Sequence, residues 1–263
     1  LLEDREGGLW VGSVTGGRNQ NQLLRYDPVT DSVQYFPIPG DAWGLNESED
    51  GTIWVAGGTL MKITPPKDRH IKFEKGKLAF DQFKKTELYD SLSAGNVEEI
   101  WSRPIAIAFD QNDGSMWTKN VYGIRNSKDT LYFPILIHRQ ANSGDIDFYH
   151  LEELKLTEMS ASLIEGNTFS EWDTPCLEVD EQGRVWGAYF SGTTGVFCFD
   201  PNTGITKNYL HDPQDTNSLL SNYVSMMMIG SGGKIWAGHF KDGVSCIDPA
   251  TGTWTRYEFQ KGL

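Results

Sequence analysis

The sequence predicts an all-β chain, a β-propeller of four-stranded antiparallel blades, and three observations carry that expectation. The phrase Gly-x-Φ-Trp, with Φ aliphatic or Met, occurs five times and ends at Trp10, Trp54, Trp117, Trp186 and Trp236. These tryptophans lie 44, 63, 69 and 50 residues apart, the pitch of a four-stranded repeat with loops of variable length. A second phrase, an apolar strand running into Asp-Pro, recurs at Asp27-Pro28, Asp200-Pro201 and Asp248-Pro249. Aromatics make up 12% of the chain and Gly 28 of its 263 residues, as many short strands joined by tight turns require.

Each unit reads as four strands in order. The first is an apolar segment that ends near an acidic or polar turn: Leu1 to Asp4, Trp43 to Leu45, Ile105 to Asp110, Cys176 to Asp180 and Val224 to Ile229. A Gly-containing turn follows, because glycine supplies the positive φ of a tight hairpin, and then comes the Φ-Trp strand. The third strand ends at the Asp-Pro turn, where Asp can accept backbone hydrogen bonds and Pro presets φ. Unit two keeps the outline at Lys62 to Pro65, and unit three keeps it only as Ile137 to Arg139 before Asn142-Ser143-Gly144. The fourth strand alternates and ends in an aromatic: Ser32 to Phe36, Asp145 to Tyr149, Ile205 to Tyr209 and Thr253 to Tyr257. The five repeated tryptophans are expected to fill the gaps between twisted neighbouring blades, a structural role.

The expected blades are 1–38, 39–73, 104–150, 173–210 and 221–259, within one propeller domain over 1–263. Insertions are expected at 74–103, where Phe83, Leu88, Leu92 and Ile100 could line a short helix, and at 151–172. Residues Tyr122 to Thr130 read as a lengthened loop. The first unit opens partway through its inner strand and the last residues stop where another unit would begin, so the reading expects part of a longer propeller, seven-bladed or larger. Long loops on a rigid scaffold are where function usually sits.

A formal charge of −13 repels phosphate backbones and anionic lipid, which argues against a nucleic-acid partner. No apolar run reaches the roughly 18–20 residues of a membrane-spanning helix. Cys176, Cys198 and Cys246 form no ligand cluster and read as small core hydrophobes, so cysteine usage leaves the compartment open. No Gly-x-Ser-x-Gly, phosphate loop, His-Glu-x-x-His or Cys-x-x-Cys occurs. Asp4 and Asp180 stand three residues before the repeat glycine and Asp110 four before it, which fits turn capping better than acid–base work.

The stretch from His211 to Val224, followed by Gly233 to Gly238 and Gly243 to Tyr257, resembles the two-component regulator propeller repeat, as does Leu1 to Ser13. That resemblance implies the periplasmic or extracellular sensing part of a bacterial hybrid histidine kinase or a related secreted propeller, a non-enzymatic binding module without a cofactor. Pro39 to Leu45 and Asp50 to Trp54 are similar to the streptogramin (virginiamycin B) lyases, whose chemistry uses a metal held by His and Glu residues gathered on one face. Here the starts of the inner strands carry Trp43, Pro104, Thr174 and Tyr223 and no His, which argues against lyase chemistry and for no metal site.

A propeller binds ligands where the inner strands begin and the loops between second and third strands converge around a central funnel. That rule nominates Asp41, Trp43, Arg103, Trp172, Asp173, Asn222 and Tyr223 at the strand starts, with Asn120, Tyr122, Tyr189 and His239 in or near the loops. Trp43, Trp172 and Tyr223 lie outside the repeated tryptophan position. An aromatic rim with a cation and carboxylates suits a small polar ligand such as a carbohydrate, or a protein partner. A structural subunit of a larger extracellular assembly is the alternative function.

Overall fold

The computed structural model describes residues 1–12, 22–38, 41–57, 59–65, 72–73, 85, 97–126, 130–151, 176–188 and 195–259. It is a β-propeller of five four-stranded antiparallel blades in two compact units, Leu1–His150 and Leu151–Leu263. Unit 1 holds blade 1 (β1 Leu2–Glu3, β2 Leu9–Gly12, β3 Gln22–Asp27, β4 Ser32–Pro37) and blade 2 (β5 Gly44–Glu47, β6 Ile53–Gly57, β7 Thr59–Ile63, β8 Lys72–Phe73). Its third is blade 3 (β9 Val97–Phe109, β10 Met116–Asn126, β11 Thr130–Arg139, β12 Ile146–His150). Unit 2 holds blade 4 (β13 Leu177–Val179, β14 Val185–Ala188, β15 Val196–Asp200, β16 Ile205–Tyr209) and blade 5 (β17 Val224–Ile229, β18 Ile235–His239, β19 Gly243–Asp248, β20 Thr253–Glu258). In every blade the strands pair in chain order.

The hairpin before each repeated Trp is built alike. Its first glycine, at 7, 51, 114, 183 and 233, has φ between 71° and 82°, where an L side chain is strained. In blade 1 the Asp4 carboxylate closes the turn, accepting from the Gly8 amide at 2.7 Å and the Trp10 indole N–H at 2.8 Å. Asp180 does the same in blade 4, accepting from the Arg184 amide at 3.0 Å and Trp186 Nε1 at 2.7 Å. One carboxylate thereby satisfies both a turn amide and a buried indole, which would otherwise cost about 1–3 kcal/mol each. Ser48 replaces it in blade 2, accepting from Trp54 Nε1 at 3.2 Å, and Gly230 stands there in blade 5. The later turns also repeat: Asp27, Asp200 and Asp248 each accept the amide two residues on at 2.9 Å.

Register explains how blades stack. Leu2, Trp10, Arg25 and Gln34 lie opposite one another and share the trailing face of blade 1 with Leu23 and Phe36. That face packs on Ile53, Val55, Met61 and Ile63, the leading face of blade 2. Trp54, Ala56 and Leu60 of blade 2 pack in turn on Ile107, Phe109 and Met116 of blade 3. Within unit 2, Trp186, Ala188, Val196 and Cys198 meet Met227, Ile235, Ala237, Ile247 and Trp254 of blade 5. Each fully buried indole contributes about 2–3 kcal/mol on area alone. An aromatic of the outer strand covers the Trp: Phe36 on Trp10 at 5.3 Å, Tyr209 on Trp186 at 5.6 Å and Tyr257 on Trp236 at 5.7 Å between centroids.

Two expectations change. Residues 122–126 and 130 belong to β10 and β11, so the supposed loop lengthening is a continuation of a strand pair. Its run Val121-Tyr122-Gly123-Ile124 alternates poorly and the intervening Gly reads as a turn, which hid the strand. Likewise β9 starts at Val97 and takes in Ile100, so the end of the expected insertion is strand. The remaining helix positions, Phe83, Leu88 and Leu92, and all but Leu151 of 151–172 lie outside the described residues. The three cysteines are free and buried, as expected of small core hydrophobes.

Candidate functional site

Blade 5 presents the most fully built candidate surface. The segment 210–223 leads from β16 into β17, and backbone hydrogen bonds alone cannot hold so long a connection. Arg256 on β20 organises it: Nε donates to the Ser218 carbonyl at 2.8 Å, and Nη2 to the carbonyls of Asp212 at 2.9 Å and Asp215 at 2.6 Å. Asn217 Oδ1 accepts from the Trp254 amide at 2.6 Å. Asn222 Oδ1 accepts from the His211 amide at 2.6 Å, and His211 Nδ1 donates to the Leu219 carbonyl at 2.7 Å. Leu219, fully buried, plugs the segment into the core of unit 2.

Beneath it runs a buried relay. The Leu220 amide donates to Ser245 Oγ at 2.9 Å, and Ser245 Oγ lies 2.8 Å from His239 Nε2. The serine oxygen has a second lone pair and its own proton, so the Ser245 hydroxyl and His239 Nε2 share one hydrogen bond whose donor follows the imidazole tautomer. Burial pushes the His239 pKa down to about 4, against the smaller raising influence of Asp242. Ser245 has no exposed surface, so this Ser–His pair cannot meet a substrate; it ties the segment to the blade.

On this tethered frame the Phe240 amide donates to the Tyr223 carbonyl at 3.1 Å. The two residues therefore sit side by side at one end of blade 5, 50% and 57% exposed. Lys241 Nζ stands 5.3 Å from the Phe240 ring centroid. Two half-exposed aromatic rings, a cation and the neighbouring Asp242 can stack on a flat apolar face and hydrogen-bond to the hydroxyls or amides around it.

Of the predicted site residues, Asn222, Tyr223 and His239 come together here. Tyr223 is displayed, Asn222 braces the segment, and His239 is a strand residue turned inward where the sequence suggested a position in or near a loop. Phe240 and Lys241 were missed. The available signal was an aromatic at the tip of the Phe240-Lys241-Asp242-Gly243 turn, a place that normally carries polar residues.

In unit 1, Asp41 and Trp43 precede β5, where the Trp43 amide donates to the Ala56 carbonyl at 2.9 Å. Gly57 is required there, since a Cβ would fall 1.6 Å from the Asp41 carbonyl oxygen. Asn120 is 5% exposed within β10 beside fully buried Lys119, so it is a sheet residue and not a loop position. Arg103 and Tyr122 lie in β9 and β10. Trp172, Asp173 and Tyr189 fall outside the described residues.

Other titratable groups have structural partners. His138 stacks on Trp117 at 4.2 Å, with Nδ1 3.6 Å from Asp147. Arg25 Nε donates to Asp4 at 2.6 Å, and this bond with those from Trp10 and Gly8 outweighs burial to hold the Asp4 carboxyl below its ordinary range. Glu178, opposite Trp186 in blade 4, is pushed up to about 7 by burial. Among the described residues no three His, Cys, Asp or Glu side chains gather so as to hold a metal ion, and no helix is long and apolar enough to cross a membrane.

No protein-family model matches this sequence, and no curated protein does. Among solved structures, the chain is similar to the extracellular domain described as a hybrid two component system, BT4673 from B. thetaiotaomicron, at 14% identity and a TM-score of 0.53. That match covers 95% of this chain and 26% of the other, so the chain spans about a quarter of that domain. The major Malassezia sympodialis allergen Mala s 1 matches at 9% identity and a TM-score of 0.55, over 99% of this chain and 78% of the other. A luciferin-regenerating enzyme matches at 9% identity and 0.50, over 87% and 66%. At these identities the likeness is one of fold, and the propeller repeat read in the sequence has its structural counterpart in that extracellular domain.

Proposed function

We propose that this chain is a non-enzymatic binding module of a bacterial periplasmic or extracellular protein, a sensing or scaffold element that recognises a small polar ligand such as a carbohydrate, or a protein partner. The observation that carries the reading is the paired display of Tyr223 and Phe240 on a segment held from below by Arg256, Asn217, Asn222 and Ser245. A surface whose rings project while its backbone is already fixed loses little conformational entropy on binding. The engagement of Asp4, Asp180, His138, His211 and His239 in turns, stacking and tethers also supports binding over catalysis. The fold likeness to a sensor extracellular domain supports the location.

Calorimetric titration with a glycan panel, paired with pull-downs from native secreted fractions, tests the reading. The expected result is a ligand whose affinity falls about tenfold or more in Tyr223→Ala and in Phe240→Ala, with unchanged melting temperature. Ligands indifferent to both substitutions, or turnover of a bound substrate, would overturn it.

A further inference from the structure

Of residues 210–223, which lead from β16 into β17, Leu219 alone is buried. Hydrogen bonds between side chains and backbone hold the rest, so this segment opens at lower cost than the strands around it. A buried pair ties it to β18 and β19: the Leu220 amide donates to Ser245 Oγ, which shares a hydrogen bond with His239 Nε2. His239 is 5% exposed. Its Nδ1 is buried without a formed hydrogen bond, the Ser221 carbonyl being the backbone acceptor on that side.

A neutral imidazole suits this place, because one ring nitrogen donates and the other accepts. A protonated ring donates from both. Two donors then converge on Ser245 Oγ, the serine proton must find another acceptor inside the blade, and Nδ1–H is left without a formed bond. The charged and titratable groups that face the ring are mixed. The Asp242 carboxylate favours the cation, Arg256 on β20 and His211 on the segment oppose it, and burial outweighs Asp242. Since His211, Leu220 and Ser221 all belong to 210–223, release of that segment is the shortest way for a charged His239 to reach water.

We propose that His239 is an acid-operated latch whose protonation frees the segment 210–223 from blade 5 while the strands of the blade stay paired. Tyr223 lies in that segment and its carbonyl accepts from the Phe240 amide, so release parts the two residues of the candidate surface. This bearing on binding rests on the function proposed above; the latch itself does not. Acid and a ligand that grips both residues then oppose each other. The open segment lets His239 take up a proton near its ordinary 6.5, the closed one only near 4. Closure is therefore fully favoured above pH 6.5 and loses ground as pH falls toward 4, and from pH 7.5 to 4.5 the open fraction rises roughly 70-fold.

Amide hydrogen exchange of the whole chain, read by mass spectrometry at steps from pH 7.5 to 4.5 and corrected for the intrinsic pH dependence of exchange, tests the latch. Protection of a peptide spanning Leu219 to Tyr223 should fall roughly 70-fold across that range, while Val244 to Ile247 on β19 keeps its protection. His239→Gln, whose side chain can still bond to Ser245, should hold the segment's protection level over the same range. Should that variant not fold, the parent still decides, because comparing its two peptides needs no substitution. Segment and β19 losing protection together, a segment indifferent to pH, or a His239→Gln variant with the parent's pH dependence would each overturn the proposal. An acid-released segment in a protein that binds no glycan and no partner would support the latch and refute only the binding reading.

Discussion

Unit 2 holds two titratable side chains, His239 buried and Glu178 partly buried, whose effects on stability oppose each other over the same pH range. His239 falls from 6.5 to about 4 on burial, so the folded state resists the proton that the unfolded chain accepts. Its contribution is complete above pH 6.5 and is lost as pH falls toward 4. Glu178 rises from 4.5 to about 7, so the folded state resists losing a proton that the unfolded chain gives up. Its contribution is complete below pH 4.5 and is lost as pH rises through 7. Each displacement of about 2.5 pH units is worth about 3 kcal/mol, with a slope near 1.4 kcal/mol per pH unit inside the window. Between pH 4.5 and 6.5 the two slopes nearly cancel.

Removing one partner should therefore unmask the other. Urea unfolding of the parent, Glu178→Gln and His239→Gln at steps from pH 4.5 to 7.5 gives the comparison. Relative to the parent, Glu178→Gln should gain about 3 kcal/mol across that range as pH rises, and His239→Gln should lose a similar amount. Using differences between variant and parent removes the contribution of the other carboxylates. Two difference curves that stay flat, or that tilt the same way, would refute the burial argument for one or both residues.

Asp4→Ala leaves the Trp10 indole and the Gly8 amide without their acceptor and Arg25 without its carboxylate, so equilibrium unfolding should show a loss of about 3–5 kcal/mol. Burial pushes the Cys198 thiol up to about 12, and Cys176 and Cys246 are also buried, so a thiol reagent at pH 8 should label none of the three until urea unfolds the chain.

How much of this could be read beforehand follows from which interactions are local. The Gly-x-Φ-Trp hairpins, the Asp-Pro turns and the alternating fourth strands are written in short windows, because turn geometry and strand period depend on neighbours in the chain. Asp4 and Asp180 were legible as turn caps, yet their second role as indole acceptors was not, since it spans two strands and depends on how the Trp leans over its own hairpin. The site was less legible still. His239 looked like a loop residue because nothing in its window reports Ser245 across the hairpin or Leu220 from the preceding connection. Phe240 was passed over because the funnel rule considers blade positions one at a time, whereas its proximity to Tyr223 comes from a hydrogen bond between the residue before β17 and the residue after β18.

The repeat itself explains why architecture and activity separate so sharply. A position that recurs in every blade must satisfy the same packing each time, so its side chain is chosen for the interface: Arg25, Lys62, His138, Cys198 and Cys246 all stand opposite the repeated Trp. All five are titratable residues of kinds used in catalysis, yet Arg25 bonds to Asp4, Lys62 lies 5.0 Å from the Trp54 ring, His138 stacks on Trp117, and Cys198 and Cys246 are buried. Chemistry specific to this chain must therefore come from positions that break the repeat. Within unit 2 those are Glu178, a carboxyl where other blades carry Leu2, Asn46, Ala108 and Met228, and the Tyr223–Phe240 pair. The same fold carries an allergen, an enzyme and an extracellular domain of a two component system among its likenesses, so shared geometry cannot choose among functions. The departures from periodicity carry the difference between chains, and within the described residues of unit 2 Tyr223 and Phe240 are the exposed pair that meets at one end of blade 5.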